Sequence, residues 1–159
     1  MTNKKSSIEL YRARAKREYD RLSSMGRTYV KLAISSDSLT SEEITQRLGI
    51  EPTEVFQKGD FIVETENYKH HHSANLWIFH TDSHCSSRQV EEHLKWLLDE
   101  QLYDKRQGIR DLQGDGATVS IYAHTNAFVS TSFMRLDPDI FQKLASLKVE
   151  VEFRTKLSY

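Results

Sequence analysis

Alternation of apolar and polar positions marks the strands of this chain, and a three-to-four spacing marks its helices. Between Tyr29 and Ser35, Val30, Leu32 and Ile34 point one way and Tyr29, Lys31 and Ala33 the other. That period predicts a strand with one buried face. Thr40 and Glu43 then stand at capping-box spacing, which satisfies orphan amides at a helix start. Ile44 and Leu48 face inward, Gly49 suits the left-handed residue past the helix end, Ile50 can fold back on Ile44, and Pro52 blocks continuation. A short strand around Val55–Phe56, a hairpin turn at Lys58-Gly59-Asp60 and a strand at Phe61–Glu64 follow, with the polar stretch Glu66 to Ser73 expected as a hairpin loop. Leu76 to His80 is apolar on both faces, as in a strand near a sheet centre.

From Ser86 or Ser87 the pattern predicts the best helix of the body, burying Val90, Leu94, Leu97, Leu98 and Leu102. Residues 107–116, with Gly108, Gly114 and Gly116, read as a loop. Thr118 to His124 alternates with Val119, Ile121 and Ala123 inward, and another strand is expected over about 127–135. Asp137-Pro138 starts a helix, Asp as cap and Pro in the first turn. It is expected to bury Ile140, Phe141, Leu144 and Ala145. The last strand points Val149, Val151 and Phe153 inward.

The predicted class is therefore α+β, with a mostly antiparallel sheet and helices on one face. Its order is the ferredoxin-like β-α-β-β-α-β extended by a further strand-helix-strand unit. Residues 5–24 add an N-terminal helix rich in Arg, Lys, Ala, Glu and Leu, whose thin stripe is Ile8, Tyr11, Ala15, Leu22 and Met25, interrupted by Glu18 and ended by Gly26. The organisation is a basic N-terminal helical extension, 1–27, and a single α+β domain, 28–159.

Charge sharpens that division. Eight Lys or Arg and three Asp or Glu give residues 1–27 a net of +5, so the remainder carries −6 of the total −1. A basic arm on an acidic body is the clearest charge pattern. Cys85 is the lone cysteine, which excludes an intrachain disulfide. No apolar run approaches the roughly 20 residues that span a bilayer, and the charged start lacks the apolar segment of a secretory signal. A cytoplasmic location is the expectation by elimination.

With the elements placed, the chain resembles a bacterial family known as domain of unknown function 4279. The residues that carry the resemblance are Tyr29-Val30-Lys31-Leu32-Ala33-Ile34, Glu43-Ile44, Leu48-Gly49-Ile50, Pro52-Thr53 and Lys58-Gly59-Asp60. Trp77 after a His-containing loop, and Glu91-Glu92-His93-Leu94 with Leu97-Leu98, continue it to about residue 155. Two departures stand out. The family tends to place Trp shortly before Lys-Gly-Asp, where Phe56 is nearest here, and the basic helix has no counterpart. The resemblance implies a cytosolic α+β domain without assigned catalytic residues. Some members resemble immunity proteins that neutralise a toxin.

His70, His71 and His72 are consecutive, and His80, His84 and Cys85 follow. Zinc prefers four ligands in paired spacings, and no second cysteine completes a set here. His93 lies at the edge of a buried stripe, where a satisfied structural histidine is the expectation rather than a base. Neither G-x-S-x-G nor G-x₄-G-K-[ST] occurs, so nucleophile-elbow and P-loop chemistry find no motif. No catalytic residue, metal or other cofactor is expected. The residues expected to bind a partner are Arg12, Arg14, Arg17 and Arg21 of the basic helix, with Lys58 and Asp60. The leading class is a non-catalytic protein-binding module whose protein partner is a toxin, with no membrane. The second is a nucleic-acid binder using residues 1–27, where Tyr11 and Tyr19 could stack on bases. The third is a metal-dependent enzyme using the His70–Cys85 region.

Overall fold

The structure, a computed structural model, describes residues 28–65, 68–127 and 134–157. The expected helix over residues 5–24 lies outside the described residues. Strand β1 (Tyr29–Ser36) forms where the alternation places it, and α1 (Ser41–Leu48) follows with its capping box intact. Thr40 Oγ1 accepts from the Glu43 amide, and the Glu43 carboxylate accepts from the Thr40 amide at 2.8 Å. Gly49 ends α1 with φ 63, a left-handed conformation that disfavours a Cβ. The chain continues through β2 (Glu54–Phe56), β3 (Phe61–Thr65), β4 (Tyr68–His71) and β5 (Asn75–His80). Then come α2 (Val90–Trp96), a π-helical turn (Leu97–Gln101), α3 (Arg106–Gly114), β6 (Thr118–Ala127), α4 (Pro138–Leu147) and β7 (Glu150–Leu157).

The main sheet has five strands in the order β2-β5-β1-β6-β7. Strands β1 and β5, β1 and β6, and β2 and β5 pair antiparallel, whereas β6 and β7 pair parallel. The run β2-β5-β1-β6 is the ferredoxin-like arrangement: β1 and β2 flank β5, and β5 and β6 flank β1. Helix α4 carries the chain from β6 across to β7, which extends the sheet by one strand. The fold is thus α+β and mostly antiparallel, as the alternation predicts. Strands β3 and β4 form a separate two-stranded sheet inserted between β2 and β5.

The core lies between the helices and one face of the main sheet. Val30, Leu32, Ile34, Trp77 and Ile121 meet Ile44, Leu48, Leu94, Leu97, Ile109 and Leu112 there, all at 1% exposure or less. Each such Leu or Ile contributes about 1.5–3 kcal/mol by leaving water. The Trp77 indole N–H, which also needs a partner once buried, donates to Thr45 Oγ1 at 3.0 Å.

Several expectations are corrected. The loop foreseen at 107–116 is helix α3, whose buried stripe is Ile109 and Leu112. Gly108 does not break it. A Cβ there would stand 3.1 Å from the Arg47 carbonyl oxygen, so the glycine serves close approach to α1. The polar stretch 66–73 contains strand β4, because antiparallel pairing with β3 satisfies its backbone. Lys58-Gly59-Asp60 is a turn but not a hairpin turn, since β2 pairs with β5 and β3 with β4. The helix expected from residue 86 starts at Val90 and passes into the π-turn. Of the strand expected at about 127–135, Ala127 is the end of β6, residues 128–133 lie outside the described residues, and 134–135 are not strand. Three side chains expected inside are exposed: Phe141 at 57%, Phe153 at 41%, and Ala145. Conversely, the second face of the sheet is not simply open. Tyr29, Ala33, Ile78, His80 and Ser120 are buried on it.

Candidate functional site

The second face of the main sheet brings a set of ionisable and aromatic groups into register. Lys31 on β1 stands opposite His80 on β5 and Tyr122 on β6, and Tyr122 stands opposite Glu152 on β7. One step along, Tyr29 stands opposite His124, and His124 opposite Arg154. Direct opposition brings side chains within about 5 Å, close enough for rings and charges to interact. The Tyr29 and His124 rings stack at 4.5 Å between centroids with 12° between planes. His80 lies 5.4 Å from the same tyrosine and holds its Nε2 3.8 Å from Glu54 Oε1. Lys31 Nζ and the Arg154 guanidinium approach the Tyr122 ring at 5.1 and 4.6 Å.

Electrostatics on this face follow from that crowding. Burial, reinforced by the Lys31 and Arg154 charges and opposed by Glu152, pulls His124 down to about 4. Its Nε2 is buried without a hydrogen-bond partner among the described residues, which suits the neutral ring. Arg154 donates to both Glu152 carboxylate oxygens at 2.6 and 3.1 Å, and these bonds hold the Glu152 carboxyl below its ordinary range and raise the arginine. Rings are stacked and charges alternate, an arrangement suited to recognition. The signal was in the sequence, as the paired polar-aromatic positions Tyr29 and Lys31, Tyr122 and His124, and Glu152 and Arg154 on three alternating strands. It did not stand out because each strand alone reads as an ordinary solvent face.

His93 is a fully buried structural histidine. The Val30 amide donates to Thr81 Oγ1 at 2.9 Å, Thr81 Oγ1 lies 2.6 Å from His93 Nδ1, and His93 Nε2 lies 2.9 Å from the Ser87 carbonyl oxygen. The neutral tautomer with its proton on Nε2 gives every atom of this relay a partner. The relay ties β1 to α2 through the loop after β5, and both ring nitrogens are occupied by that task.

The other histidines of the His70–Cys85 region are placed apart. His72 stacks on Phe56 at 4.6 Å, and His71 packs on Phe61 and reaches the Gly59 carbonyl through Nδ1 at 2.8 Å. His84 packs against both Phe79 and Trp96, at 5.4 and 5.0 Å, and those two rings also meet each other at 6.2 Å. Among the described residues, no three His, Cys, Asp or Glu side chains are grouped for an ion. Lys58 and Asp60 sit at the corner where the chain leaves the main sheet. Lys58 Nζ lies 3.0 Å from Asp37, and Asp60 Oδ2 accepts from the Gln57 amide at 2.8 Å, closing a turn with Gly59 at φ 93. Arg12, Arg14, Arg17 and Arg21 lie outside the described residues.

A cleft of about 660 Å³ opens beside the start of α2 and of α4. Arg88, Lys95 and Arg135 line it with Glu91, Glu92 and Asp137, and the Arg135 amide donates to Glu91 Oε1 at 2.8 Å. Cations and anions are mixed around its wall, so it presents no field of one sign.

The family described as Domain of unknown function (DUF4279) matches residues 26–158, nearly all of the body. The chain belongs to this family. In this DUF4279 member, Leu48-Gly49-Ile50 is the left-handed end of α1, with Ile50 buried against the core that holds Ile44. Lys58-Gly59-Asp60 is the corner between the two sheets. Both of these stretches are therefore backbone devices. No curated protein and no solved structure matches the chain. Among the described residues, no helix is long and apolar enough to cross a membrane.

Proposed function

We propose that this DUF4279 protein is a non-catalytic protein-binding module of the immunity type, which captures and neutralises a bacterial toxin in the cytoplasm. The observation that supports it is the use made of the ionisable side chains. His93 is held at both nitrogens, His72 and His84 are stacked on rings, and Arg154, Glu152, Lys58 and Asp37 pair with one another. The body around them carries the acidic excess of the chain. Such a surface speeds capture of a basic partner by long-range attraction more than it deepens the final affinity.

The test is a pull-down from the native host followed by co-expression of whatever protein is recovered. Recovery of a basic protein whose toxicity the chain suppresses is the expected result. Recovery of stoichiometric nucleic acid and no protein overturns the reading and favours binding through residues 1–27. In that case affinity falls steeply with salt.

A further inference from the structure

The two edges of the main sheet are unlike. Strand β2 is three residues long, a blunted edge. Strand β7 is eight residues long, without proline, and its pairing with β6 runs from Glu150 to Leu157 without a register shift. Among the described residues β7 has one neighbour, so one row of its backbone amides and carbonyls faces outward. Glu152, Phe153, Arg154, Thr155 and Lys156 are all exposed. Phe153 shares its face with Ile121 and Ala123, both fully buried, yet is 41% exposed itself. Phe141, on the helix that leads into this strand, is 57% exposed. The pattern commits both rings to a core, and on a single chain that core ends short of them.

The sequence of β7 also specifies a partner. Residues directly opposite each other on an antiparallel ladder share a face, so only registers pairing even with even and odd with odd are open to two copies of one strand. Within β7, the register centred on Glu152 sets Glu152 against itself, and the one centred on Arg154 sets Arg154 against itself. Shifting further pairs Glu150 with Glu152, or Arg154 with Lys156. The register centred on Phe153 avoids every like pair. It sets Glu150 opposite Lys156, Glu152 opposite Arg154, Val151 opposite Thr155, and Phe153 opposite its own copy. Opposite charges facing across strands stabilise a pair and like charges weaken it.

We propose that β7 is the pairing edge for a second copy of this chain, joined antiparallel about a twofold axis at Phe153 to make one continuous sheet from two bodies. The twofold axis uses each contact twice and closes the assembly at two. The Glu152–Arg154 pair seen within one strand then becomes a checkerboard of four charges across two. The pairing leaves the β2 edge free, and it does not depend on toxin capture.

Sedimentation equilibrium of the full chain over a range of concentrations tests it, with circular dichroism to establish that each variant is folded. The expected result is a reversible monomer–dimer equilibrium. Glu152→Arg and Arg154→Glu each weaken it about tenfold, since each creates two like-charge oppositions per dimer. The combined variant Glu152→Arg, Arg154→Glu restores the wild-type constant by exchanging the charges. Phe153→Asp, which sets two carboxylates on the axis, leaves a folded monomer. A wild-type chain that is monomeric at every concentration overturns the proposal. So does a dimer whose constant the single charge variants leave unchanged, or one that the combined variant fails to rescue.

Discussion

The centre of the sheet and its β6–α4–β7 end follow the same periodic rules and reach different surroundings. On β1, Val30, Leu32 and Ile34 are all fully buried, and on α1 so is Ile44. On β7 the equivalent alternation leaves Phe153 at 41% exposure, and on α4 Ile140 is buried while Phe141 beside it is 57% exposed. Periodicity reports the direction of a side chain. Coverage depends on what lies to either side, and among the described residues β1 has strands on both sides whereas β7 has one. The centre is therefore closed by its own chain, and the end of the sheet leaves Phe153 and Phe141 exposed.

The largest effect that could break this contrast lies at Trp77. Its ring is fully buried on β5 and its N–H is bound to Thr45, so Trp77→Ala removes both packing and a satisfied donor. The expected loss is about 3–5 kcal/mol. Phe141→Ala, an aromatic truncation of similar kind at the edge, is expected to stay within about 0.5 kcal/mol for the monomer. Urea unfolding at low protein concentration measures both. Equal losses at the two sites would dissolve the distinction between centre and edge.

Next in size is the relay through His93. Replacing it by Leu keeps an apolar body but strands the Thr81 hydroxyl and the Ser87 carbonyl without their partner. The expected loss is about 1–3 kcal/mol. Adding Thr81→Val to His93→Leu should cost less than the two single losses combined, because the groups act as one network. Additive losses would mean that the relay is not a unit.

The second face of the sheet predicts a pH dependence. His124 titrates near 4 when folded and near its ordinary 6.5 when unfolded. The unfolded chain thus binds the proton first as pH falls, so stability is full above about 6.5 and declines between 6.5 and 4. The ring is half-buried, and after solvent screening the decline is about 1–2 kcal/mol. His124→Phe should remove that slope while preserving the stack on Tyr29, as read from urea midpoints across this range. A slope left intact would assign the titration elsewhere.

The fold was legible where local chemistry and tertiary demand agree. Thr40 with Glu43, Gly49 before Pro52, and Asp137 with Pro138 each write a helix boundary into a few neighbouring residues, and each cap forms as expected, Asp137 Oδ1 accepting the Ile140 amide. The alternation over β1 and β6 likewise gives their inward sets. What escaped was decided by contacts distant in sequence. Gly108 reads as a breaker until α1 is placed 3.1 Å from its missing Cβ. His70 and His71 read as loop until β3 pairs with them. The second-face cluster needs three strands side by side before Tyr29, His124 and Arg154 become neighbours. Phe153 looks buried because alternation carries no information about whether a further strand exists.

The smallest effects separate the two regions at their helix ends. Helix α1 closes with Gly49 at φ 63 and α4 closes with Lys148 at φ 53, the same left-handed turn made by the residue that suits it and by one that does not. Gly49→Ala introduces a Cβ into that conformation and is expected to cost about 1 kcal/mol. Lys148→Gly relieves the same strain, and the greater freedom of glycine in the unfolded chain offsets part of the gain. The net is a stabilisation of a few tenths to about 1 kcal/mol, measured as a raised urea midpoint with unchanged slope. The opposite signs expected at two turns of one geometry are the point of the comparison. The centre of the sheet is built from residues that fit their backbone, and the end that carries β7 tolerates one that does not. A loss on Lys148→Gly would show instead that the Lys148 side chain makes contacts at the edge worth more than the strain it bears.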